Sequence, residues 1–210
     1  MLQLLIPLCE TAPYPERMTY RRTIVELGYP VKVREDYSVI VGGRKVKWGF
    51  RRRIPGGMGE VVVKEAYDNG NPAPFKVRNL PHATEITVGE GCLPVGRHRM
   101  TVEYDLYPQF RGDTLTINLL NGEVSVPVDY VEVVVVSGDT GGVVPLSRGF
   151  NVTEVPAFGV VRISGNGPYA GDTVLNVPLK VPKPRVEWHV PALLVAMALL
   201  SHVLSSLRRA

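Results

Sequence analysis

The stretch from His98 to Tyr107 alternates without a break: Met100, Val102, Tyr104 and Leu106 fall on one side, and Arg99, Thr101, Glu103 and Asp105 on the other. A period of two sends successive side chains to opposite faces of an extended strand, so one face goes to a core and the other to water. The same period runs through Val31–Glu35, Tyr37–Val41 and Lys45–Trp48, and through the segment Tyr20–Leu27, where Thr23, Val25 and Leu27 alternate with Arg22, Ile24 and Glu26. Val61–Val63, Phe75–Val77, Glu85–Val88, Pro156–Ile163 and Thr173–Val181 read as further short strands. With 21 glycines and 18 prolines in 210 residues, turn signals separate these segments throughout. Thr114–Leu119 and Glu123–Val136 flank Asn121-Gly122, a hairpin turn signal. The valine run Val131–Val136 is β-branched enough for burial on both faces. No amphipathic helix longer than a couple of turns precedes the tail. The expected fold is all-β, an antiparallel sandwich of about ten strands followed by one C-terminal transmembrane helix.

That tail is Val190–Leu207, eighteen residues without a charge. As a helix it would reach about 27 Å, just short of a bilayer's hydrocarbon core. Pro191 suits a first helical turn, and Trp188 sits at the depth an indole prefers. Residues 182–189 form a proline-stiffened basic spacer. Lys183, Arg185 and Trp188 on one side, with Arg208 and Arg209 on the other, are the expected membrane-interface residues. Residues 1–19 read as an atypical or truncated leader, 20–181 as the β-domain and 208–210 as a short tail. Two cysteines, Cys9 and Cys92, with no CxxC pair, indicate neither a zinc site nor a disulfide framework, though one bridge between them is open outside the cytosol.

Chemistry is sparse. A net charge of +4, spread along the chain, does not argue for nucleic acid. Gly138-Asp139-Thr140-Gly141-Gly142 has the outline of a serine-protease nucleophile loop with Thr for Ser, but no histidine stands in a protease context. Gly165–Asp172 reads as a loop and leads into a strand, whereas phosphate cradles open a helix. Glu103 and Asp105 share a solvated strand face. No HExxH and no Cys/His spacing suggests a metal, and no cofactor is expected. The one concentrated feature is basic: Arg44, Lys45, Lys47, Arg51, Arg52 and Arg53, interleaved with Trp48 and Phe50. These residues are candidate contacts to an anionic surface such as lipid headgroups, or else a hairpin edge kept soluble by charge. Asn151-Val152-Thr153 is a glycosylation sequon, usable only if the domain is exported.

Val33-Arg34-Glu35, Arg53-Ile54-Pro55 and Gly96–Tyr104, read as G-x-H-x-x-x-V-x-Y, together with Asp113–Leu119, Glu123–Val136 and Asp172–Pro184, resemble a predicted-membrane-protein family catalogued as domain of unknown function 2207. The likeness spans most of residues 20–185. A tryptophan common near the family's hairpin is absent here, as is the family's longer C-terminal part. The resemblance implies a β-rich ectodomain ahead of a membrane segment, and supplies no catalytic residues. The resulting expectation is a membrane-anchored, extracytoplasmic, non-enzymatic binding or scaffolding module. Its partners would be the bilayer and an envelope protein or a second copy of the chain. Two alternatives stand beside it: a soluble β-domain oligomerising through the C-terminal helix, and a hydrolase using carboxylates or Thr140.

Overall fold

The computed structural model describes residues 9–13, 15–46, 48–108, 114–120, 126–136, 150–155, 159–169 and 175–180. These residues are almost entirely strand: β1 (Arg17–Glu26), β2 (Val31–Val41), β3 (Phe50–Pro55), β4 (Glu60–Asp68), β5 (Asn71–Pro72), β6 (Phe75–Leu80), β7 (Ala83–Val88), β8 (Gly96–Tyr107), β9 (Thr114–Leu120), β10 (Val128–Val136), β11 (Asn151–Val155), β12 (Val160–Tyr169) and β13 (Leu175–Lys180). A single 3-10 turn, Gly56–Met58, interrupts them. The all-β expectation holds for the described residues. The tail 190–207 and residues 1–8 of the expected leader 1–19 lie outside them, while Arg17–Thr19 of that leader belong to β1, and no described helix is long and apolar enough to cross a membrane.

Three open sheets form among the described residues. The largest has eight strands in the order β11-β12-β10-β1-β2-β8-β4-β5, the next is β3-β7-β6, and β13 pairs with β9. The alternation read in the sequence decides which face is which. Val31, Val33, Tyr37 and Val39 of β2 are buried with Met100, Val102, Tyr104 and Leu106 of β8, while Lys32, Arg34, Glu103 and Asp105 face outward. Phe50 and Ile54 of β3, with Ile86 and Val88 of β7, cover that inner face, and the Tyr37 and Phe50 rings meet at 4.5 Å.

Four details depart from the sequence reading. The large sheet is mixed, because β1 and β10 pair in parallel, with Thr23 beside Val133 and Val25 beside Val135. This register joins two inward rows of buried residues, which local sequence cannot report. β9 and β10 lie in different sheets and do not form a hairpin. Asn121 and Gly122 lie outside the described residues; among the described ones Asn69-Gly70 turns the hairpin between β4 and β5, with φ of 53° and 81°, as a type I′ turn requires. Lastly, Gly165–Tyr169 belong to β12 rather than to a loop. Gly165 is required there because a Cβ would lie 2.1 Å from the Tyr169 hydroxyl and 2.7 Å from the Phe150 ring.

Candidate functional site

Two groups of charged side chains stand on opposite faces of the large sheet. The inner one begins with the alternation in β3. Since Phe50 and Ile54 point into the core, Arg52 between them must too, and it needs a buried acid. Glu35, on the inward row of β2, is that acid. Arg52 Nε lies 2.9 Å from Glu35 Oε2, and Arg21 of β1 reaches Oε1 at 3.1 Å. Tyr104 donates to Oε1 at 3.3 Å, and the Tyr37 hydroxyl donates to Oε2. The Arg21 guanidinium also sits 5.5 Å above the Tyr37 ring. Glu35 is 0% exposed, Arg21 1% and Arg52 5%.

Burial alone would raise the Glu35 pKa. The charges of Arg52 and Arg21, with hydrogen bonds from Arg52 and Tyr37, outweigh it and hold the carboxyl at about 2. Burial first, then the Glu35 charge, push the Tyr37 and Tyr104 hydroxyls up. A carboxylate this weakly basic, out of reach of water and with every neighbour donating to it, is no general base. The cluster ties β1 and β2 of one sheet to β3 of the other.

The outer face carries a shallow depression of about 590 Å³ across β1, β2, β8 and β4. Ile24, Glu26, Lys32, Arg34, Lys64, Glu103 and Asp105 line it. Arg34 bridges Glu103 at 3.1 Å and Asp36 at 3.2 Å, and Lys64 meets Asp105 at 3.0 Å. The Asp105 hydrogen bond, then its charge, raise the Lys64 pKa. Glu103 and Asp105 therefore share a face, as their spacing requires, but each is neutralised by a different cation. Glu26 and Lys32 stand opposite each other in register and form no ion pair among the described residues. The depression presents one donor and one acceptor of opposite charge beside Ile24, which suits a zwitterionic or peptide ligand better than a simple anion.

The structure divides the basic run. Arg52 is not a surface contact, because strand alternation turns it inward onto Glu35. Arg51 is exposed, and Arg53 reaches Glu85 at 2.8 Å. Arg44 and Lys45 are exposed in a loop, and Trp48 is 39% exposed. Lys47 lies outside the described residues. In that loop the amides of Gly42, Arg44, Lys45 and Val46 all donate to the Glu16 carboxylate, at 2.6–3.3 Å. Desolvation opposes ionisation of Glu16, and these backbone bonds outweigh it and lower its pKa. Asn151 opens β11 in an exposed position. Lys183, Arg185, Trp188, Arg208, Arg209 and Thr140 lie outside the described residues. Cys9 and Cys92 form a disulfide.

Sequence reasoning missed Glu35, Arg21 and Arg52 as a unit. The signal was present: in Phe50-Arg51-Arg52-Arg53-Ile54, and again in Val33-Arg34-Glu35-Asp36-Tyr37, a charged residue occupies the inward phase.

No family model matches the chain. No curated protein matches it either. Solved structures do. A candidate protease from Parabacteroides distasonis shares the fold with a TM-score of 0.54 at 11% identity, over 81% of this chain and 41% of its own. Native yeast LTA4 hydrolase is similar at a TM-score of 0.49 and 11% identity, over 85% and 33%. An M1 zinc metallopeptidase from Deinococcus radiodurans is similar at 0.45 and 15% identity, over 80% and 43%. At these identities the likeness is one of fold, and the chain spans less than half the length of each protein.

The expectation of a non-enzymatic envelope scaffold is corrected by this likeness. The architecture is found as part of a larger candidate protease, so it is no signature of a free-standing binding module. Among the described residues no three His, Cys, Asp or Glu side chains gather as a metal would need. The sequence has no HExxH.

Proposed function

We propose that this chain is the β-rich, substrate-orienting part of a peptide-bond hydrolase, acting with a catalytic unit that the described residues do not supply. The observation carrying this reading is the shared fold with the Parabacteroides candidate protease, which aligns to 81% of this chain but only 41% of that one. The two larger sheets are read as an open sandwich in which the buried Glu35 cluster fixes their spacing. The outer depression, with Glu26 and Lys32 side by side, is the proposed peptide contact.

The test is peptide hydrolysis by the protein isolated natively from its own cells through a tag on this chain, read by mass spectrometry. Peptide cleavage should accompany the tagged protein, and Lys32→Ala with Glu26→Ala should raise KM while leaving kcat. A preparation that neither cleaves nor binds peptides would overturn the reading.

The Cys9–Cys92 disulfide supports an address outside the reducing cytosol, and the uncharged stretch 190–207 supports membrane attachment. Thiol alkylation of intact cells under non-reducing conditions tests the first. Quantitative labelling of both cysteines without prior reduction would count against it.

A further inference from the structure

Every residue of β6 is exposed, on both faces. β6 is also the outermost strand of its sheet, paired on one side with β7 and with no strand on the other among the described residues. The Gly89 amide donates to the Pro74 carbonyl at 2.8 Å, and Phe75 stands opposite Val88. In an antiparallel ladder hydrogen-bonded pairs alternate with non-bonded ones. Pro74, Lys76, Arg78 and Leu80 therefore turn their backbone groups toward β7. Phe75, Val77 and Asn79 turn theirs to the open edge, leaving three N–H and three C=O groups in the geometry of a sheet with a missing strand.

The side chains say what that strand would be. On the core-facing side, Phe75 is 36% and Val77 41% exposed, extending the apolar row of Ile86 and Val88 past the edge of the core. On the outer side stand Lys76 and Arg78, with Arg51 on the same face of β3. Arg51 and Arg78 have no ion pair among the described residues, and Glu85 between the strands is taken by Arg53. Lys76 has a loose partner in Glu90 at 3.9 Å, both largely exposed.

A second copy does not fit. Any antiparallel pairing of β6 with itself that engages the edge groups of at least two of Phe75, Val77 and Asn79 sets Lys76 against Lys76, Lys76 against Arg78, or Arg78 against Arg78. Like charges directly opposite are destabilising. We propose that β6 is a docking edge for an extended segment of a partner protein, in which apolar residues alternate with Asp or Glu. The segment adds as an antiparallel fourth strand, places its apolar residues beside Phe75 and Val77, and sets its carboxylates against Lys76 and Arg78.

The test is fluorescence anisotropy of a labelled short peptide alternating Val and Glu, titrated with the full chain, with a Val/Lys peptide as control. The Val/Glu peptide should bind with a Kd below about 1 mM and the Val/Lys peptide at least about tenfold more weakly. Val77→Pro removes an edge-facing N–H without breaking the ladder to β7, and should abolish binding, whereas Val77→Thr should retain it. The double change Lys76→Glu and Arg78→Glu should reverse the peptide preference. In the wild-type protein, the peptide should slow hydrogen exchange at the Phe75, Val77 and Asn79 amides. Absence of Val/Glu binding, equal binding of both peptides, unchanged exchange at those amides, or a β6-dependent dimer in sedimentation would each overturn the proposal.

Discussion

At the scale of single residues the decisive one is Glu35. A carboxylate taken wholly out of water is tolerated only because two guanidinium groups and two hydroxyls converge on it. Removing it leaves Arg21 and Arg52 buried without an anion. Glu35→Gln should therefore lower unfolding stability by about 3–5 kcal/mol, measured by urea denaturation. The triple change Arg21→Met, Glu35→Leu and Arg52→Met, which removes all three charges together, should be markedly less harmful. A Glu35→Gln loss below about 1 kcal/mol would mean that water or another group reaches the site.

The sign of the pH dependence follows from the same contacts. The folded pKa of about 2 lies below the ordinary 4.5. The contribution of Glu35 is complete above about pH 4.5 and disappears as pH falls toward about 2. The size is about 3 kcal/mol. Urea midpoints recorded down that range should fall for the wild type more steeply than for Glu35→Gln, and parallel curves would contradict the assignment.

At the scale of elements, the loop between β2 and β3 is held by a charge as well as by Val46, which is buried in the core. Four amides converge on the Glu16 carboxylate, and Gly43 takes a φ of 73° while a Cβ there would lie 1.9 Å from the Glu10 carbonyl oxygen. Glu16→Ala should leave those amides to solvent, and their hydrogen exchange should accelerate selectively at Gly42, Arg44, Lys45 and Val46, with the β2 ladder still protected. Gly43→Ala should destabilise the loop through both backbone strain and collision. Unchanged exchange in Glu16→Ala would show that the loop holds itself.

How much of this was readable from sequence depends on the range of the interaction. The inward rows of β2 and β8 were legible because a period of two is a local property. So, in principle, was Arg52, since Phe50 and Ile54 set its phase; reading the basic run by composition instead of phase hid it. Two facts were beyond local reading: that β1 lies parallel to β10, and that Asn69-Gly70 makes the hairpin while β9 and β10 join different sheets. Turn residues permit a reversal, but pairing is decided by which buried rows come together in three dimensions. Glu16 was hidden for a similar reason, because its partners are backbone amides of a distant loop.

At the scale of the molecule, one covalent link spans elements that the sheets do not join directly. Cys9 precedes β1 and Cys92 lies between β7 and β8, with a sequence separation of 83. The strap it closes also carries the Ala12 amide to the Gly42 carbonyl at 3.0 Å and ends at Glu16. Closing a loop of that length restricts the unfolded chain by about 4–5 kcal/mol on the chain-entropy model, an upper value because unfolded chains retain structure. The folded sheets do not depend on the bridge, since the Glu35 cluster and the apolar core join β1, β2 and β3 without it. Reduction should therefore lower Tm while leaving the strand signal in circular dichroism intact at low temperature. Cys9→Ser with Cys92→Ser should match the reduced protein. Glu16→Ala in the reduced protein should free residues 9–16 to limited proteolysis, whereas in the oxidised protein the bridge should still delay cleavage. A reduced chain whose Tm is unchanged would show that the strap is held by noncovalent contacts alone.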